Sequence, residues 1–325
     1  MSVARGLVLR AVHRRGPSAA RLWGVSLELG PGVHGVLGLP ADGTELLAAL
    51  AMGRLRPSSG TVRLAGRDPW ASPATRARIA ALGPRPDLPD VERVADLVAL
   101  VGRAGGWDSR RVLDEHQLGA LAGRAMRSLS HGERRAVELA LASSHPDPLL
   151  LLLFEPFRMG AGGLPRDLRE RARRRAAAGA CVLVIASEPE QVLSWVDRVY
   201  VLQGGFSSEA SADATAQLRQ LVVWVAGDRG GGARALAAAL AEHEEIQAVG
   251  WQVEPAHERT STSLAVVALR AADLDGAALC VARHAHRLGL DVRSVHSPAP
   301  TVAELAAAAA RSRAMHPQGL DDAHG

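Results

Sequence analysis

The sequence contains no lysine: all 38 of its basic residues are arginine. Arginine stays charged across the usable pH range, so any phosphate chemistry in this chain proceeds without a lysine ammonium. Aromatic residues are scarce at 3%, and Ala, Leu and Val carry the apolar load. The two cysteines, Cys181 and Cys280, lie in the apolar stretches ACVLVIA and AALCVARHA. They are expected as small buried side chains, and nothing in their spacing suggests a disulfide framework or a zinc site. His284 and His286, two apart on an expected helix, face different ways. With His296 they complete a histidine group from which no metal site is expected. Long apolar runs are also missing. Runs such as Leu149–Phe154 are far short of the ~20 residues that span a bilayer. The opening MSVARGLVLRAVHRR has no signal-peptide pattern. The chain is expected to be cytoplasmic, meeting a membrane only through a partner. A balance of 38 basic to 34 acidic residues, a net +4, is too weak to imply nucleic acid as a partner.

What is present is a dense supply of core material. With 325 residues, 47% of them hydrophobic, the length suggests two domains of roughly 100–200 residues each. That density of Leu and Val argues against disorder. Over residues 1–212, β-rich runs (GLVLRAV, GVHGVLGL, TVRLAG, LLLLLFEP, CVLVIASE, RVYVLQGG) alternate with helical patterns. This alternation predicts an α/β unit with a parallel sheet covered by helices. Leu149–Phe154 is continuous rather than alternating, as in a strand buried on both faces. The small polar stretch Phe206–Thr215 reads as a linker. Residues 213–314 then run strand–helix–strand–strand–helix–strand, the order of a split βαβ, ferredoxin-like α+β domain. Residues 315–325 read as a polar, flexible tail. The arginines between Arg171 and Arg175 read as a solvated helix face. Without interleaved aromatics they do not suggest single-strand binding.

The segment GVHGVLGLPADGTELLAALAMGRLRPSSGTVRLAGRDP holds the first chemical motif. A strand enters a loop with Gly38 and Gly43 at the G-x-x-x-x-G spacing of a phosphate cradle, then a helix follows. In the second, SLSHGERRAVELALA, Ser130 and Gly132 open a helix. A helix N-terminus attracts anions, and Ser130 with Glu133 also fits a capping box. In the third, HPDPLLLLLFEPF, a buried strand delivers Phe154 and then Glu155.

In this order and spacing the three motifs resemble the ATP-binding cassette (ABC) of ABC transporters. Gly53, Leu55, Pro57, Ser59, Gly60, Gly66, Arg67, Asp68 and Pro69 strengthen the match, which covers residues 1–212, about two thirds of the chain. The resemblance implies a P-loop nucleotide-binding fold of exporter type, with Gly38, Asp42, Gly43, Thr44 and Glu45 at the phosphates. Thr44 stands where the family has its lysine, and Glu45 where it has the serine that holds magnesium. Phe154 replaces the magnesium aspartate, leaving Glu155 as a vestigial general base. Pro84 takes the place of the loop glutamine, Ala161 falls near the loop aspartate, and Glu188 replaces the switch histidine. No Tyr or Phe lies near His13, where an aromatic stacks on adenine. His131 replaces a signature glycine, while Ser130 and Gly132 remain for a partner's nucleotide. The ending SPAPTVAELAAAAAR is similar to the C-terminal extension of some drug- and lipid-export cassettes.

The expectation is therefore an impaired cassette that binds ATP weakly and magnesium only with nucleotide. It would sit at the inner face of the membrane on a permease, around Pro84–Leu97, and pair with a second cassette. Two alternatives remain open: an active ATPase that uses Glu45 or Glu155 for magnesium, and a soluble regulator that never meets a permease.

Overall fold

The computed structural model describes residues 6–16, 19–85, 93–156, 168–210, 220–226, 231–253, 264–271 and 273–315. The chain divides into two compact units, Met1–Ala210 and Ser211–Gly325.

The first unit contains two sheets. Strands β1 (Leu7–Arg15), β2 (Arg21–Leu29) and β4 (Ser59–Leu64) form an antiparallel sheet in the order β2-β1-β4. Strands β3 (Gly32–Leu37), β5 (Ile79–Leu82), β6 (Leu150–Phe154), β7 (Cys181–Ala186), β8 (Arg198–Gln203) and β9 (Phe206–Ala210) form the other, in the order β5-β6-β7-β3-β8-β9. Its first five strands are parallel and β9 is antiparallel. The expected single parallel sheet is thus corrected: GLVLRAV and TVRLAG belong to a separate antiparallel sheet. Their buried and exposed residues alternate in part, as in a sheet wet on one face, whereas every residue of β6 and β7 is buried.

The expected linker is corrected at its start. Gly204 and Gly205, both at positive φ, make a two-residue turn that folds Phe206 back onto Gln203. Two left-handed residues suit the twist of a tight hairpin, so the polar FSSEA becomes an edge strand.

Helix α1 (Thr44–Ala51) follows β3 and buries Leu47 and Leu50 in the core shared by the two sheets, with Leu7, Leu9, Val36 and Leu152. Each fully buried leucine contributes roughly 2 kcal/mol. After the short α2 (Pro73–Arg76), helices α3 (Val94–Gly105), α4 (Ser109–Glu115) and α5 (His131–Ser144) enclose a second core around Val94, Leu97, Val98, Val112 and Val137. Helix α6 (Leu168–Ala177) precedes β7.

The second unit contains β10 (Gln220–Ala226), α7 (Gly231–Ala241), β11 (Ile246–Val253), β12 (Leu264–Ala271), α8 (Leu274–Arg287), β13 (Asp291–His296) and α9 (Val302–Met315). Its strands lie in the order β11-β12-β10-β13 with antiparallel neighbours. Met315, read as the start of the tail, ends α9; the rest of that tail lies outside the described residues. No helix among the described residues is long and apolar enough to cross a membrane.

Candidate functional site

The parallel sheet brings two motif ends together at the end of β7. Gly38 leaves β3 with its N–H on the Ala186 carbonyl at the end of β7. A Cβ on Gly38 would stand 2.6 Å from the Leu202 carbonyl oxygen. Glu155 leaves β6 with its N–H on the Ile185 carbonyl. The loop between β3 and α1 is therefore wedged against β7 and β8, beside Glu155.

Within the loop, Pro40–Asp42 form a single 3-10 turn. Gly43 follows at φ 97°, where a Cβ would meet the Arg21 carbonyl oxygen at 2.5 Å, so only glycine suits this position. The carboxylate of Asp42 folds back onto the main chain. It accepts the Leu39 N–H at 2.9 Å and the Gly204 N–H at 2.8 Å. Thr44 is buried and its hydroxyl donates to the Leu39 carbonyl at 3.2 Å. Glu45, one residue into α1, pairs with Arg85 at 3.7 Å. Both side chains are exposed enough that the pair adds little stability.

Phe154 fills the end of β6 and joins the core. Glu155 is buried in a left-handed conformation at φ 44°, a strained position for a residue with a Cβ. One carboxylate oxygen accepts the Ser187 N–H at 2.9 Å. The other is buried with no hydrogen-bond partner. Glu188, next to Ser187, is exposed and stands at the N-cap position of the 3-10 turn Pro189–Gln191, without a side-chain cap bond. Pro84 lies beyond β5, between Gly83 and Arg85, while Ala161 lies outside the described residues.

Ser130 and Gly132 sit apart from this loop, at the start of α5. The Ser130 hydroxyl accepts the Glu133 N–H at 3.2 Å, and Glu133 returns a bond from the Ser130 N–H at 2.7 Å. Arg124 also binds Glu133. These contacts lower the pKa of the Glu133 carboxyl, the Ser130 backbone bond most of all. The capping box is thus formed, and the Ser130 hydroxyl keeps its hydrogen to donate elsewhere.

The motifs did not reveal two residues. Arg135, buried on α5, donates to the Gly83 carbonyl at 2.7 Å, the Phe154 carbonyl at 2.6 Å and the Glu138 carboxylate at 3.0 Å. It ties the signature helix to the ends of β5 and β6. Its only sequence signal is a charge pair, Arg135 and Glu138, three apart within an apolar helix face. Burial, working against the adjacent Arg135 cation, raises the pKa of the Glu138 carboxyl. Trp23 is the other. It is 49% exposed on β2 and meets His13 edge-on at 5.1 Å, close in sequence to the Arg21 carbonyl that touches Gly43. An aromatic ring does lie beside His13, that of Trp23, whereas the expectation covered only Tyr or Phe.

A cavity of about 340 Å³ opens between β5, α3 and α5, lined by Ile79, Gly83, Arg85, Val101, Trp107 and Glu138. Part of the expected permease groove, residues 86–92, lies outside the described residues. The arginine cluster on α6 is only partly solvated. Arg171 pairs with Glu115 at 3.6 Å, and Arg175 donates to the Pro146 carbonyl at 2.5 Å.

The family model described as "ABC transporter" matches residues 22–158. The hemin import ATP-binding protein of Pseudomonas entomophila (strain L48) is 32% identical over 215 residues, covering 62% of this chain and 84% of that protein. The lipopolysaccharide export system ATP-binding protein of Acidithiobacillus ferridurans is 31% identical over 195 residues, covering 56% and 79% respectively. A solved ATP-binding subunit of an ABC transporter superposes with a TM-score of 0.56 at 21% identity, over 64% of this chain and 90% of that one. This last likeness is one of fold.

Proposed function

The chain belongs to the ABC transporter family as an ATP-binding subunit, and we propose that its own nucleotide site is silent while it serves as partner to an active cassette and a membrane permease. Asp42 carries this reading. Its carboxylate occupies the Leu39 and Gly204 amides and so puts a fixed negative charge in the cradle. A phosphate about 4 Å from that carboxylate is repelled by about 4 kcal/mol per charge pair at an effective dielectric near 20. The helix N-terminus returns only about 0.3–1 kcal/mol, or ~2 kcal/mol in favourable geometry. Thr44 supplies no cation, and Glu45 adds a second carboxylate beside Arg85. With Phe154 at the aspartate position, the residues of this loop do not fit a magnesium nucleotide.

The purified chain is expected to show no magnesium-dependent ATP turnover. Turnover of about 1–10 per second, abolished by Glu155→Gln, would overturn the reading. That result would favour the active-ATPase alternative, for which the unpartnered Glu155 oxygen is the supporting observation.

The signature turn keeps Ser130 and Gly132, with His131 in place of one glycine. In the family two cassettes meet head to tail, and each signature completes the other chain's site. Ser130 and Gly132 here keep the form that approaches a partner's phosphate. We therefore extend the proposal to an asymmetric pair with one working site, built from the partner's phosphate loop and this chain's α5. The permease would dock beside the β5–α3–α5 cavity. Gly132→Asp places a carboxylate against the partner's nucleotide and leaves Ser130 capped. ATPase activity of the reconstituted pair should then fall at least tenfold. Unchanged activity would reduce this chain to a scaffold whose Ser130 is only a helix cap, worth ~1 kcal/mol.

A further inference from the structure

Three side chains that the sequence keeps apart converge in the second unit. Cys280 and His284 are one helical turn apart on α8, so they share a face. His243 lies just beyond α7, which packs against α8. Its N–H is held by the Leu240 carbonyl at 3.2 Å. The two Nε2 atoms, of His243 and His284, are 2.8 Å apart, and the rings meet edge-on at 76°. One donor atom from each imidazole and the Cys280 sulfur all lie within 4.8 Å of one another. Cys280 is buried and both histidines are half-buried. His286, two residues further on, is not in the group.

We infer that His243, Cys280 and His284 form a site for a divalent transition ion of the zinc class. A tetrahedral ion with metal–nitrogen distances of ~2.0–2.1 Å and metal–sulfur of ~2.3 Å holds its ligand atoms about 3.3–3.6 Å apart. The three donors reach that spacing with shifts on the order of 1 Å. Two imidazoles and a thiolate select borderline ions and reject magnesium and calcium, which take oxygen ligands.

Imidazole binds a metal in its neutral form. Glu242, Arg283 and Arg287 lie near enough to His284 to act on its charge. Binding displaces the Cys280 thiol proton to solvent. The loaded site, two neutral imidazoles, one thiolate and a dication, carries one net positive charge. Glu242 offsets that charge, while Arg283 and Arg287 limit affinity. Three protein ligands leave a fourth position for water. Bound metal would staple the turn after α7 to α8. The site lies outside residues 22–158 and does not depend on the proposed nucleotide chemistry.

The test uses the full chain without an affinity tag, reduced and stripped of metal, and titrated with Co²⁺ and then Zn²⁺. One equivalent of Co²⁺ should bind with a thiolate-to-metal charge-transfer band, and Zn²⁺ should displace it. Cys280→Ser should lose the band. His243→Gln and His284→Gln should each weaken binding at least tenfold, a loss that even outer-sphere changes can cause. His286→Gln should bind as the parent chain does. Zn²⁺ should raise the melting temperature of the parent but not of Cys280→Ser. Failure to bind Co²⁺, binding without the band, or equal binding by the parent and the three ligand variants would overturn the site. His243 and His284 are half-buried, so their variants settle the matter if Cys280→Ser does not fold. If the site is overturned, the group is a histidine–histidine hydrogen bond beside a core thiol.

Discussion

At the residue scale, the proposed silent nucleotide site turns on Asp42, whose carboxylate accepts the Leu39 and Gly204 amides. In Asp42→Ala the Leu39 and Gly204 amides lose their shared acceptor. Leu39 and Gly204 are both exposed, so water replaces much of the lost bonding and the cost stays below the about 1–3 kcal/mol of a buried amide. The expected outcome is a lower denaturant midpoint with an unchanged slope. Thr44→Lys restores a cation but leaves Asp42, Glu45 and Phe154 in place. It should therefore produce no hydrolysis in a phosphate-release assay, and turnover in that single variant would mean the remaining site is competent. His34 is a second residue whose burial has a measurable effect. Its Nε2 contacts the Gly30 carbonyl at 2.9 Å and its Nδ1 is buried without a partner. Burial lowers its pKa below the ordinary 6.5, with Asp197 and the Gly30 bond opposing. Just below pH 6.5 the unfolded chain therefore binds more protons than the folded one. Stability contributed by neutral His34 is full above that value and is lost as the pH falls towards the folded pKa. Unfolding curves between pH 7.5 and pH 5, a window set by the ordinary histidine value, should show a smaller loss in His34→Gln than in the parent.

At the scale of elements, α5 is joined to the sheet by a buried charge. Arg135 and Glu138 are 8% and 6% exposed in their side chains, and Glu138 keeps one oxygen without a partner. Arg135→Met should destabilise the chain by about 3–5 kcal/mol, since it strands a buried carboxylate. Arg135→Met with Glu138→Leu should recover most of that loss, because a packed apolar pair can replace a buried ion pair. Thermal melts of both variants test the sign. This brace was hard to see in the sequence, where two charges three apart on a helix look like an exposed pair. The continuous run Leu150–Phe154, by contrast, announces a strand buried on both faces. The FSSEA strand was hidden by its polar residues and revealed only through its pairing with β8.

At the scale of the whole molecule, each unit encloses its own core. A chain ending at Ala210 should stay folded and give one cooperative melt. Aggregation of that shortened chain, with the full chain soluble, would mean that the rest of the chain covers an apolar face. The sequence by itself determined the cassette family, the order of its motifs and the residue types at 44, 45, 154 and 188. These are local matters of residue identity and spacing along one strand, loop or helix. Only the tertiary structure decided where the Asp42 carboxylate points, what Arg135 braces and whether Trp23 lies beside His13. It alone gathered His243, Cys280 and His284. The physical reason is distance along the chain. Asp42 meets Gly204, Arg135 meets Gly83 and His243 meets His284 only after strand order and helix packing bring remote segments within hydrogen-bond reach, and no local periodicity encodes that meeting.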